Sequence, residues 1–249
     1  MGELAGAYAD PALGSFDLDF YEGGTRVRSP LGVSWNTRFE QVDPVRSFRW
    51  VKGGAGFAGW HWSATTGGHV GYESWLERDR LILLDADPGV TGIASQPFWL
   101  HWHDGSRKRR HAPDFFVRLA DGRGQVVGVR ADDQIDEAAV GAFEATERAC
   151  RAVGWGFLHV GVPDPVLMAN MRWLSRYRRS RCRRRHDVAD LLVSVFAEPA
   201  PLLAGAAEAG DPLLVLPVLL HLLWSRVLVT DVASQLLASD SMVHTASGQ

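Results

Sequence analysis

The chain has 249 residues, of which 46% are hydrophobic and 22% charged, and its formal net charge is −3. This balance excludes an intrinsically disordered chain and allows one large or two modest domains with a buried core. Two cysteines, Cys150 and Cys182, cannot build a disulfide framework, which points to a reduced, cytoplasmic protein.

No basic segment followed by an apolar run opens the chain, so no secretory leader is expected. The most apolar stretch, Leu213–Trp224, contains Pro217 and His221 and falls short of the roughly 20 apolar residues of a membrane span. It is expected to be a core helix, and no membrane association is expected.

Residues 1–14 carry small residues and Pro11 and are expected to be poorly ordered. From Phe16 to Val27 apolar and polar residues roughly alternate, which predicts an edge strand broken at Gly23-Gly24. Trp35, Trp50, Trp60 and Trp62 fall in a region rich in glycine, including Gly53-Gly-Ala-Gly56. They fit either a base-stacking platform or a small β-rich layer with tryptophan as filler. Gly53-x-x-Gly56 lacks the lysine and the strand–helix context of a phosphate loop.

A helix is predicted over Tyr72–Leu84, stopped by Asp85-Ala-Asp-Pro88. Val90–Ile93 is a short strand candidate. Phe98–His103 and Arg107–His111 form a predicted hairpin across Asp104-Gly105, and Asp114–Leu119 pairs with Gln125–Arg130 around Asp121-Gly-Arg-Gly124. Val140, Phe143, Cys150 and Val153 give Asp136–Val153 a helical period, and Gly156–Val160 returns as an apolar strand. Helix, three or four strands, helix, strand implies a mixed sheet flanked by helices.

Pro163-Asp-Pro165 marks a boundary, so three regions are expected: a β-rich extension over 1–68, a core over 69–162 and a helical domain over 163–249. The last should contain helices near Val166–Tyr177, Asp187–Phe196, Pro201–Glu208 and Pro212–Trp224, then a β-like segment, Arg226–Thr230. That succession fits a winged-helix-like module.

Between Tyr72 and Arg130 lies a set of residues suited to phosphodiester chemistry. Cleavage needs charge neutralised at the attacking and leaving oxygens, which hard divalent cations held by carboxylates accomplish. Glu73 and Glu77, four residues apart on the predicted helix, should share one face. Asp114 follows Pro113, which favours a strand start there. Arg130 closes an apolar strand and needs a counter-charge or a phosphate if it points inward. Taken singly, Glu77 could pair with Arg80, Asp114 could cap a turn and Arg130 could be a solvated strand end. Their joint spacing favours a site.

Glu73-Ser-Trp-Leu-Glu77, Leu83-Leu-Asp-Ala-Asp-Pro88, Gln96-Pro-Phe98, His111-Ala-Pro-Asp114-Phe-Phe and Val126-Val-Gly-Val-Arg130 occur in that order. In order and spacing, the block from Tyr72 to Gly161 resembles the TnsA-like endonuclease subunits of Tn7-type heteromeric transposases. These belong to the PD-(D/E)xK, restriction-endonuclease-like nucleases. The resemblance implies an α/β fold with an αβββαβ mixed-sheet core. It implies that Asp114 and Glu77, with Glu73 as the nearby alternative, bind Mg²⁺ or Mn²⁺, and that Arg130 stands where the family has lysine. Gly128 falls where a second carboxylate or a glutamine would lie, so the Val129 carbonyl or water would fill in, and Asp132 and Asp133 lie just beyond. Arginine is effectively never deprotonated, so Arg130 can clamp a phosphate but cannot act as a general base. The resemblance further implies double-stranded DNA at transposon ends, a DDE-type transposase subunit and an AAA+ ATPase as partners, with cleavage at the 5′ ends of the element.

The densest charge lies at Arg172-Trp-Leu-Ser-Arg176-Tyr-Arg178-Arg179-Ser-Arg181-Cys-Arg183-Arg184-Arg185, eight arginines within fourteen residues, interleaved with Trp173 and Tyr177. Such a run repels itself unless anions neutralise it, which suits phosphate contacts; the plainer alternative is a solvated helix face. The leading expectation is a metal-dependent endonuclease subunit. A non-catalytic DNA-binding scaffold on the same fold is favoured by Gly128, and a DNA-binding regulator would rest on the arginine run alone.

Overall fold

The computed structural model describes residues 15–48, 57–183 and 185–246. Residues 1–14, Trp50, the Gly53–Gly56 stretch and Arg184, for which expectations were stated above, lie outside the described residues. The fold is mixed α/β, with thirteen strands and seven α-helices among the described residues. It divides into two compact units: Met1–Leu81 with Gly89–Val162, and Ile82–Pro88 with Pro163–Gln249. The N-terminal strands thus cluster in the same unit as the central sheet.

The first unit opens with β1 (Asp17–Glu22) and β2 (Thr25–Pro30). The expected broken edge strand is instead a hairpin. Gly23 and Gly24 both take positive φ, 57° and 77°, and so form the two-residue connection whose twist matches antiparallel strands. The short α1 (Leu31–Ser34) follows, then β3 (Gly59–Trp62) and β4 (His69–Tyr72), which pair with each other. Of the tryptophans here, Trp35 packs against the aromatic core, whereas Trp60 is exposed with Phe48 edge-on at 5.0 Å.

Next come α2 (Trp75–Asp85), β5 (Val90–Ser95), β6 (Trp99–His103), β7 (Lys108–His111), β8 (Phe115–Leu119), β9 (Gly124–Val129), α3 (Glu137–Val153) and β10 (Gly156–Val160). One sheet has the order β10-β9-β8-β5, with β10 parallel to β9 and the other pairs antiparallel. The other sheet has the order β2-β1-β6-β7. With the β6–β7 hairpin set aside as an excursion, the chain runs helix, three strands, helix, strand.

Both sheets contribute to one core. Phe39 lies at its centre, fully buried, with the rings of Phe20, Phe98, Phe116 and Trp155 packed edge-on at 5.1, 5.0, 5.6 and 5.5 Å. Such pairs add to area burial because the positive ring edge meets a negative face. Helix α3 presents Ala145, Ala149 and Cys150 to this core, while Val140 of the predicted apolar stripe is exposed. Its ends are set locally: Asp136 caps Ala139 N–H at 2.8 Å, and Gly154, at φ 73°, closes the last turn.

The second unit contains α4 (Pro165–Leu174), α5 (His186–Val195), β11 (Ala200–Pro201), α6 (Leu202–Ala209), α7 (Pro212–Trp224), β12 (Leu228–Thr230) and β13 (Met242–Thr245). The three strands form a sheet of order β11-β13-β12. Apolar α7 supplies much of the core through Val215, Val218, Leu219, Leu222 and Trp224. Buried Asn170 of α4 donates to the Val232 and Gln235 carbonyls and accepts from Leu237 N–H, so it anchors the segment between β12 and β13 with its polar groups satisfied.

Replacing Phe39 by alanine removes the ring shared by both sheets of the first unit. The expected loss is about 3–5 kcal/mol, read as a lower urea midpoint at unchanged slope in equilibrium unfolding.

Candidate active site

The chain geometry at the end of the β10-β9-β8-β5 sheet brings two carboxylates together. Asp114 sits just ahead of β8. The register pairs Phe115 with Val127 and Phe116 with Val126, so the next step sets Asp114 opposite Gly128. Asp114 Oδ2 accepts a hydrogen bond from Val129 N–H at 2.6 Å, and Oδ1 has no hydrogen-bond partner among the described residues. Burial pushes the Asp114 carboxyl up to about 7, and the nearby Glu77 carboxylate pushes in the same direction.

Glu77 is buried in the first turn of α2. The expected shared helix face with Glu73 does not form, because β4 runs through Tyr72 and the helix starts only at Trp75. Glu73 therefore precedes the helix. The reason lies in Ser74, whose hydroxyl accepts from Glu77 N–H at 3.1 Å and donates to Glu77 Oε1 at 3.0 Å. Glu77 Oε2 accepts from Glu73 N–H at 2.7 Å. This resembles a capping box, except that the carboxylate reaches the N–H of Glu73 ahead of the cap residue Ser74, and it fixes the Glu77 side chain. Burial raises the Glu77 pKa, opposed by the Glu73 N–H and the Ser74 hydroxyl.

Arg130 follows β9 directly. Its N–H donates to the Val160 carbonyl at 3.0 Å, and its own carbonyl lies 3.1 Å from His159 Nε2. Its side chain makes no ion pair among the described residues. Gly128 has Phe143 of α3 against it: a Cβ there would lie 3.2 Å from the ring. The same ring stacks at a tilt on His159 at 4.7 Å and meets His111 edge-on at 6.3 Å. Burial, and then Arg46 and Arg130, push His111 down to about 4, so it is neutral at physiological pH.

Two more residues meet at this place: Arg46, which carried no expectation, and Gln96, which carried only the resemblance and no role. Arg46 Nη2 donates to Glu73 Oε2 at 2.5 Å, and its Nε donates to Gln96 Oε1 at 3.2 Å. Gln96 is fully buried and holds a positive φ of 45°. Its N–H donates to the Asp114 carbonyl at 2.9 Å, while its Nε2 has no hydrogen-bond partner among the described residues. Strained backbone of this kind persists where surrounding structure over-determines it.

Residues 87–160 match the family model of the TnsA-like endonuclease N-terminal domain. The match supports a TnsA-like nuclease. No curated protein matches the chain. The TnsA-like segment contains Asp114, Val129 and Arg130 and leaves Arg46, Glu73, Glu77 and the arginine run outside it.

Among the described residues, no group of three or more His, Cys, Asp or Glu converges closely enough to hold a metal ion. The donor set still fits one hard cation, since Mg²⁺ is commonly held by one or two carboxylates and completed by water. Asp114 keeps a free oxygen, and its proton affinity is raised first by burial and then by Glu77, a negative neighbour whose charge a cation would offset. Asp132 and Asp133 fall in a short 3-10 turn and are exposed.

The second unit carries the basic run, broken between the end of α4 and two 3-10 turns, Ser175–Tyr177 and Ser180–Arg183. Arg172, Arg176, Arg181, Arg183 and Arg185 are exposed. Arg178 and Arg179 are half-buried, with Arg178 Nη1 donating to the Ser175 carbonyl at 2.6 Å. Arg185 pairs with Asp187 at 2.9 Å.

A carboxyl whose folded pKa is raised contributes stability below its unfolded pKa and loses it as pH climbs through the folded value. For Asp114 that window runs from the ordinary 3.8 to about 7. Asp114→Asn keeps an acceptor for Val129 N–H. In metal-free buffer it should stabilise the chain at pH 8 by on the order of 2 kcal/mol and leave stability at pH 3 unchanged, as measured by urea unfolding.

Proposed function

We propose that this chain is a Mg²⁺- or Mn²⁺-dependent DNA endonuclease subunit of a Tn7-like heteromeric transposase, cutting phosphodiester bonds at the 5′ ends of the element. The observation that carries it is the pairing of Asp114 with Glu77 at the end of the sheet whose strands fall within the TnsA-like match. Helix, three strands, helix, strand, with β10 parallel to β9, agrees with a restriction-endonuclease-like core. The helices and terminal three-stranded sheet of the second unit agree with a winged-helix-like module. A DDE-type transposase subunit and an AAA+ ATPase would be its partners in the cytoplasm; no helix among the described residues is long and apolar enough to cross a membrane.

Glu77 and Asp114 would hold the cation, with the Val129 carbonyl as a third oxygen and Glu73 in reserve. When bound, the ion supplies charge neutralisation at the attacking and leaving oxygens. Val129 N–H holds Asp114, and the Ser74–Glu77 cap holds Glu77, so neither carboxylate has to be ordered when DNA arrives. Arg130 serves as a fixed cation against a phosphate oxygen and not as a base. The exposed arginines from Arg172 to Arg185 add affinity for the duplex without reading its sequence.

A second reading, a DNA-binding scaffold without catalysis, is favoured by the Phe143 ring against Gly128. Calorimetric titration with Mg²⁺ or Mn²⁺ separates the two, because a scaffold gives no heat that depends on Asp114. With transposon-end DNA and either metal, Asp114→Ala should lower nicking at least about 100-fold; equal cutting by the variant would exclude this site.

Replacing Arg176, Arg181, Arg183 and Arg185 together by serine should make the slope of log binding constant against log salt shallower by about 3.6 if each touches one phosphate, at roughly 0.9 per contact. A slope that hardly changes rules out the duplex contact.

A further inference from the structure

The nuclease reading assigns a phosphate-clamping cation to the strand end at Arg130, and a second arginine is bonded directly to one of the candidate carboxylates. Arg46 comes from the segment between β2 and β3, outside the TnsA-like match. It is tied to Glu73 by a 2.5 Å ion pair and to Gln96 by a 3.2 Å hydrogen bond. Its guanidinium carbon lies 5.8 Å from the centre of the Trp99 ring, against which Arg110 packs at 4.3 Å. Three different elements therefore hold one planar group in place.

A guanidinium carries five N–H donors in a rigid fork. Glu73 and Gln96 engage two of them, and the Arg46 side chain is 38% exposed, so donors remain for a ligand from solvent. Three carboxylates lie nearby, Glu73, Glu77 and Asp114, with Arg110 as the cation on the same Trp99 ring. A phosphodiester approaching three carboxylates meets repulsion unless fixed cations flank it. Arginine is suited to span a carboxylate and a phosphate at once, because its fork presents donors in two directions.

Gln96 links this arrangement to the site. Its N–H holds the Asp114 carbonyl and its Oε1 holds Arg46, so one buried residue fixes both the carboxylate strand and the arginine. We infer that Arg46 is a further phosphate-contacting residue of the candidate active site, supplied by the N-terminal segment and held against it by Glu73, Gln96 and Trp99. This inference rests on the nuclease reading above. It adds that the segment ahead of the matched domain is part of the site and not merely a support for it.

The test uses the full chain with transposon-end duplex and reads two quantities, cleavage with Mn²⁺ and the salt dependence of binding. Arg46→Ala should lower kcat/KM on the order of 100-fold and make the salt slope shallower by about 0.9. Arg46→Gln keeps a donor for Glu73 but not the charge; it should behave the same way and carries the test if the alanine variant fails to fold. Wild-type cleavage and slope in either folded variant overturns the inference. So does reduced cleavage with an unchanged slope, since Arg46 would then only hold Glu73 in place. Asp114→Ala run in parallel should abolish cleavage and keep the full slope. If it cuts normally, the nuclease site fails, while the slope still decides whether Arg46 touches phosphate.

Discussion

Two carboxylates of like charge are held partly out of water at the end of the β10-β9-β8-β5 sheet, and much of the surrounding structure accommodates that fact. Burial makes ionisation costly for both and raises their proton affinity, and the Glu77 carboxylate adds to that cost at Asp114. The fold opposes the cost with dipoles and one cation: Val129 N–H on Asp114, the Ser74 hydroxyl and Glu73 N–H on Glu77, and Arg46 on the neighbouring Glu73. None of these donors is free to move away, since each belongs to a strand, a helix cap or a hydrogen-bonded arginine. The local polarity is therefore built before any ligand arrives, as electrostatic preorganisation requires.

The hydrophobic scaffold makes this possible by fixing the strand ends. Phe39 joins rings from both sheets of the first unit, and Gly124 lets Phe116 and Trp155 close over β9, where any Cβ would lie 2.5 Å from the Phe116 ring. With β8 and β9 locked in register, the last pair is Phe115 with Val127, and the step beyond it sets Asp114 opposite Gly128. A one-residue slip would turn Asp114 to the other face.

Short-range signals were legible in the sequence. Asp104-Gly105 marks the β6–β7 hairpin, Asp121-Gly-Arg-Gly124 the β8–β9 connection, and Asp211-Pro212 to Trp224 the last helix, and each is observed at about those bounds. Asp114 and Arg130 fall at strand ends as their spacing suggests. Arg46 and Gln96 were not legible, because 27 residues separate Arg46 from Glu73 and 50 separate it from Gln96, and no local pattern encodes such a meeting. The displacement of Glu73 from the helix could have been found: Ser74-x-x-Glu77 is a capping signature, and it competes with a helix start at Tyr72. β11 and β13 escaped notice because strands of two and four residues, Ala200–Pro201 and Met242–Thr245, offer too little alternation to register. In the second unit the arginine run does not make one helix face; close-spaced like charges end in short 3-10 turns instead.

The ring of Phe143 against Gly128 has a consequence for what position 128 accepts. The ring occupies the space into which a side chain there would grow. Any new side chain at 128 begins 3.2 Å from that ring, itself wedged against His159 and His111. A side chain at 128 therefore requires the Phe143 ring to give by a few tenths of an ångström, so the two positions are coupled by packing. Whatever chemistry this chain performs, it is committed to doing so with the oxygens it has.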